Sequence, residues 1–121
     1  MLASDKGRER FWAERSHQHG ELVALDFPDG SQTSMRVTVV ERPTRLVVHY
    51  FGSETAFQLK AVDQARTDLE VTVSNVPPKE LLDVAAGWVS VLLNLKAVLN
   101  CGCDLRNHDA ERSWQTGFVD N

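Results

Sequence analysis

The sequence predicts an α+β fold in which an antiparallel meander of five or six short strands precedes one long apolar helix. Three observations carry this. Apolar and polar residues alternate with a period of two through most of residues 21 to 73. Turn formers at Pro28-Asp29-Gly30, Pro43 and Gly52-Ser53 divide that stretch at short intervals. From Asn75 to Leu99 the apolar spacing lengthens to three and four, the period of a helix.

Taken in order, Phe11 to His17 is a sixth candidate strand, turning at Gln18-His19-Gly20. Glu21 to Phe27 follows. Met35, Val37 and Val39 then alternate with Arg36 and Thr38, and Leu46, Val48 and Tyr50 with Val47, His49 and Phe51. Glu54 to Lys60 is the next strand, and Leu69, Val71 and Val73 alternate with Asp68, Glu70 and Thr72 in the last. Short loops between consecutive strands imply antiparallel pairing. One apolar face per strand implies a sheet covered on one side and wetted on the other.

The helix supplies the cover. Pro78 suits a first helical position, where its missing N–H has no intrahelical partner, and Gly102 suits the left-handed residue after the end. Leu81, Ala85, Trp88, Leu92, Leu95 and Leu99 form one face, widened by Val84, Val91 and Val98. About 23 residues rising 1.5 Å each give roughly 34 Å, enough to cross a small sheet diagonally. Gly87 inside this helix costs about 1 kcal/mol relative to Ala, which points to close approach of a strand or a ligand, close packing being favoured.

At 121 residues and 42% hydrophobic content the chain fits one domain. Residues 1–103 are expected to form it. Residues 104–121 form a polar tail packed on its surface, anchored by Trp114 and Phe118. A formal charge of -4 with no basic run disfavours nucleic-acid binding. Asp83, Asn94 and Lys96 interrupt the one candidate for a membrane span, so none is expected. The first residues lack the apolar core of a secretion signal, so the expected location is cytoplasmic. Cys101 and Cys103 flank Gly102 too closely for a useful disulfide and are read as free thiols. His108, Asp104 and Asp109 lie near them without metal-ligand spacing, so no metal or cofactor is expected.

No serine elbow, phosphate-cradling glycine loop or ordered carboxylate pair is present, so catalysis has no positive support and no catalytic residue is assigned. His17, His19 and His49 are expected to be solvated. Trp88 is either a core residue or a cavity wall offering one indole N–H, and Tyr50 either a rim residue or the polar element of a pocket. The charges at Asp104, Arg106, Asp109, Glu111 and Arg112 form either surface ion pairs or a latch. In the latch, Arg106 or Arg112 pairs across the domain or a dimer while Trp114 fills a shallow groove.

Ala86-Gly87-Trp88 with the following Leu95-Lys96, the bend Glu41-Arg42-Pro43-Thr44-Arg45-Leu46, and Asp104-Leu105-Arg106-Asn107-His108-Asp109 with Trp114 and Asp120-Asn121 carry a resemblance. Together with the order of elements, these resemble the START-like (SRPBCC) superfamily, in its branch named for the activator of the heat-shock protein 90 ATPase. The resemblance implies a helix-grip fold, with the sheet wrapped around the C-terminal helix and an apolar small molecule or lipid held between them. Trp88, Leu92, Leu95, Tyr50, Val48, Phe57 and Val71 are the expected ligand contacts. An interaction module of the co-chaperone type is the alternative. A cyclase-like enzyme comes third, since it would need an inward polar pair such as Tyr50 with His49 or Glu41, and residues 49 and 50 point to opposite faces. The chain departs from the family at its start. Ser4 to Trp12 matches the end of the family's helical pair, and the opening strand is expected to be absent. Bare strand edges would then favour a homodimer.

Overall fold

The structure, a computed structural model, describes residues 1–120. Helix α1 (Asp5–Glu9) is followed by strands β1 (Arg15–His19), β2 (Leu22–Asp26), β3 (Gln32–Glu41), β4 (Arg45–Tyr50), β5 (Ser53–Ala61) and β6 (Thr67–Ser74). A 3-10 turn, Pro78–Glu80, leads into helix α2 (Leu81–Cys101), and a second, Trp114–Thr116, lies in the tail. The six strands form one antiparallel sheet in chain order, so the molecule is α+β with a meander and one long C-terminal helix. Pro78 opens the helical stretch and Gly102 closes it at φ 66°.

Two strand expectations are corrected. The first strand is Arg15–His19, and Phe11 to Ala13 lie outside it as a buried plug between α1 and the sheet. The reason is local: the N–H groups of Phe11, Trp12 and Ala13 all reach the Arg8 carbonyl, which curls the chain at the end of α1. In β3 the register shifts between Val37 and Val39, so Val40 rather than Val39 stands opposite Leu46. A bulge at Thr38 absorbs one residue and reverses the facing of everything after it. Val39 consequently pairs with Val47 on the other face. The Glu41–Leu46 bend contains a cis peptide bond at Arg42-Pro43.

The core joins Val23, Leu25, Met35, Val37, Leu46, Val48 and Phe57 of the sheet to Phe11, Trp12 and Ala13, under Leu95 and Val98 of α2. The covering face of α2 is narrower than expected. Trp88, Val91, Leu92, Leu95 and Val98 pack on the core, whereas Leu81, Ala85 and Leu99 are exposed. At 100° per residue Leu81, Ala85 and Leu99 lie roughly 60–140° around the helix from the line through Val84, Val91 and Val98, which points at the sheet. Leu82, Val89 and Leu93 are exposed as well, leaving an apolar outer arc. With its preceding turn, the helix Pro78–Cys101 has a window of mean hydropathy 1.6 of which 17% is buried. It is long and apolar enough to cross a membrane, so Asp83, Asn94 and Lys96 do not break the apolar run below that length.

The two sheet edges differ. Along β1, Glu9 accepts from the Ser16 N–H at 3.0 Å and Asp5 from the Gln18 N–H at 3.2 Å, so carboxylates of α1 occupy that edge. Arg8, buried to 1% exposure, donates to Ser16, Leu2, Asp5 and Gln18 and ties α1 to β1. Among the described residues, no hydrogen bond reaches the outer edge of β6.

Candidate functional site

Four segments converge on one end of the sheet, and each is shaped by local chemistry. The β2–β3 loop turns through Gly30 at φ 80°, with Asp29 accepting from both the N–H and the hydroxyl of Ser31. The β4–β5 hairpin turns on Phe51 and Gly52, at φ 50° and 74°, the two positive values of a type I′ turn. The first half of α2 passes above. The tail returns beside it, held where the Ser90 hydroxyl donates to the Val119 carbonyl.

Between these segments lies a cleft of about 440 Å³. Its walls carry Trp12, Phe27, Tyr50, Phe51, Trp88 and Trp114. Trp12 is the hub: its ring centroid lies 5.3 Å from that of Trp88 and 5.4 Å from that of Tyr50, at interplanar angles of 63° and 80°. Such edge-to-face contacts fix the rings more tightly than apolar area alone would. Burial pushes the Tyr50 hydroxyl up to about 12, against a small opposing effect of Trp12, so at neutral pH it is an uncharged donor. Gly87 lines the same space, and a Cβ built there would meet nothing within 4 Å. The expectation of close packing at Gly87 is therefore corrected: its missing side chain leaves the cleft open.

Trp12 is held by its neighbours' carbonyls. Asn94, 3% exposed, donates to the Phe11 carbonyl at 2.8 Å. The Arg106 guanidinium donates to Glu9 and Ala13 carbonyls at 2.8 and 2.9 Å. Arg106 thus makes the cross-domain latch, while Arg112 stacks on Phe118 within the tail, 4.4 Å from the ring centroid. Asp104 braces Arg106 at 2.8 Å, and His108 bridges Asp104 to Glu14. Burial alone would raise the Asp104 carboxyl, but hydrogen bonds from Arg106 and His108 outweigh it and hold the group well below the usual carboxylate range. The hydrogen bond to Glu14 raises the His108 imidazole above its ordinary value, with Asp104 adding to it against partial burial.

Of the residues expected to contact a ligand, Trp88 and Tyr50 lie in the cleft wall. Val48 and Phe57 are fully buried in the core, with Phe57 5.4 Å from Trp88, centroid to centroid. Val71 pairs with Phe57 in register, and Leu92 packs half-buried on the core. Leu95 faces a second hollow of about 360 Å³ beside Leu46, Leu59 and Leu69. His49 sits on the outer face, 3.5 Å from Glu54, away from Tyr50. Sequence reasoning missed Trp12, Phe27 and Phe51 as cleft residues. The available signal was their position, since all three lie at or next to a turn at one end of the meander.

No family model matches this sequence, and no curated protein does. Two solved structures are similar in fold. One is the crystal structure of protein SSP2350 from Staphylococcus saprophyticus, with a TM-score of 0.71 and 18% identity over 84% of this chain and 80% of that one. The other is the solution structure of BfR322 from Bacteroides fragilis, with a TM-score of 0.52 and 12% identity over 81% and 76%. At these identities the likeness concerns the fold alone.

Proposed function

We propose that this chain is a START-like, helix-grip binding protein that takes an apolar small molecule in the cleft between the sheet end and α2. The observation that carries this reading is the aromatic-lined space of about 440 Å³ over Gly87. Its volume falls within the range of about 300–1,000 Å³ usual for small-molecule sites, and its mainly apolar walls with a few polar groups are what such sites need. The residue set shifts from the sequence expectation towards Trp12, Tyr50, Phe51, Gly87, Trp88 and Trp114. Titration with the neutral fluorophore 6-propionyl-2-dimethylaminonaphthalene tests it, read by probe emission and by quenching of Trp fluorescence. Binding is expected to saturate at one probe per chain and to vanish in Gly87→Leu, whose side chain projects into the middle of the cleft while improving helix propensity. Equal binding by a folded Gly87→Leu protein would place the probe elsewhere.

A second reading, an interaction module whose partner is another copy of this chain, is favoured by a different observation. Among the described residues the β6 edge is uncovered, and five of the twelve exposed large hydrophobics, Leu81, Leu82, Val89, Leu93 and Leu99, lie on α2.

A further inference from the structure

We infer that the cleft selects an organic cation: an ammonium or similar positively charged group carried on an aromatic or aliphatic body. This rests on the binding reading above and specifies its ligand. The charged residues lining the cleft are Asp29, Glu80 and Asp83, and no Lys, Arg or His is among its walls. All three carboxylates lack a cationic partner: none forms an ion pair with a described residue. The two Ser31 donors to Asp29 hold its carboxyl below the usual range, which keeps it ionised at neutral pH. A cleft lined by one sign of charge raises the local concentration of the opposite charge.

The walls act in the same direction. Trp12, Tyr50 and Trp88 meet edge to face at angles of 63° to 80°, so each contact covers a face of only one of its two rings, where parallel stacking would cover a face of both. Indole and phenol faces carry negative quadrupole density and attract a weakly hydrated cation, most strongly at Trp. A carboxylate-bearing lipid would bring an unpaired negative charge next to three others, with no donor cation in the walls. The site is therefore mismatched to fatty acids and matched to quaternary or alkylated amines.

Isothermal titration with three probes of similar size decides the point: benzyltrimethylammonium, its neutral isostere neopentylbenzene, and the anion 3-phenylpropionate. The cation is expected to bind at least about tenfold more tightly than the neutral isostere. That preference is expected to shrink with added salt and to fall several-fold in the double variant Glu80→Gln/Asp83→Asn, with the neutral probe unaffected. Both replaced side chains are exposed, and thermal unfolding verifies that the variant folds. Equal or tighter binding of the neutral or anionic probe would overturn the cation inference while leaving the cleft reading standing. Failure of all three probes to bind would remove both.

Discussion

Asn94 Nδ2 donates to the Phe11 carbonyl at 2.8 Å across 83 residues of sequence, while its Oδ1 accepts from the Leu105 N–H at 2.8 Å. One buried amide thus joins the N-terminal plug, α2 and the tail, and sets Trp12 at the head of the cleft. Replacing it by Leu leaves a buried carbonyl and an N–H without partners, at about 1–3 kcal/mol each. Asn94→Leu is therefore expected to lose about 2–4 kcal/mol in urea denaturation despite its greater apolarity. An unchanged midpoint would show that water replaces the amide.

His108 gives stability a pH dependence. Its folded pKa is raised by Glu14 and Asp104, so the charged form is favoured in the folded protein. The stabilisation is fully present below the unfolded value near 6.5 and is lost as pH rises through the raised folded value. Asp104 has the opposite sign: held below the ordinary carboxylate value of 3.8, it stabilises above that value and loses this as pH falls towards its lowered folded pKa. Thermal midpoints should consequently decline from slightly acidic pH towards alkaline pH, and His108→Gln should flatten that limb alone. A decline of the same size in His108→Gln would assign it to another group.

Phe51 occupies the left-handed region at φ 50° and is 71% exposed, at the rim of the cleft. A bulky residue there costs about 1–2 kcal/mol, whereas Asn before Gly suits a type I′ turn. Phe51→Asn is expected to stabilise the protein by about 1 kcal/mol and to weaken cleft binding by removing an aromatic wall. Tighter binding in this variant would show that Phe51 obstructs the cleft instead of forming it.

Gly87→Ala separates two roles of one residue. With open space around the added Cβ, the methyl costs no packing and the helix gains about 1 kcal/mol, a few degrees in thermal midpoint. One methyl group leaves most of a cleft of about 440 Å³ free, so binding should persist where Gly87→Leu abolishes it. A destabilised Gly87→Ala protein would mean that something does pack against this position.

The meander and the helix were legible because both follow from periods and turn residues local in sequence. Pro78, Gly102 and the Gly52 turn stand where their conformational preferences put them. The bulge at Thr38 was not legible, because Val37, Thr38, Val39 and Val40 read equally well in either facing. Trp88 and Tyr50 were named as candidates from the faces of their own elements, and both line the cleft while packing on the core. Trp12 was not: its place depends on Asn94 and Arg106, residues far along the chain whose carbonyl contacts no local pattern encodes. Leu92 and Leu95, which share a helix face with Trp88, diverge from it because the cleft occupies only one end of α2.

The unlike edges of the sheet lead to a last prediction. A pairing of two β6 strands about a two-fold axis through Val71 sets Leu69 against Val73 and Glu70 against Thr72, so that no like charges meet. It would continue the hydrogen-bonded ladder into a second copy. On α2 the cleft lies to the side of Asp83, Gly87 and Ser90; Leu81 and Leu99, 54% and 58% exposed, share the opposite flank. Light scattering after gel filtration is expected to give a dimer, and Leu81→Glu/Leu99→Glu a folded monomer that still binds the cleft probe. If the wild type is monomeric at high concentration, the β6 edge is not a homodimer interface; if the double variant stays dimeric, the Leu81–Leu99 flank of α2 is not part of the contact.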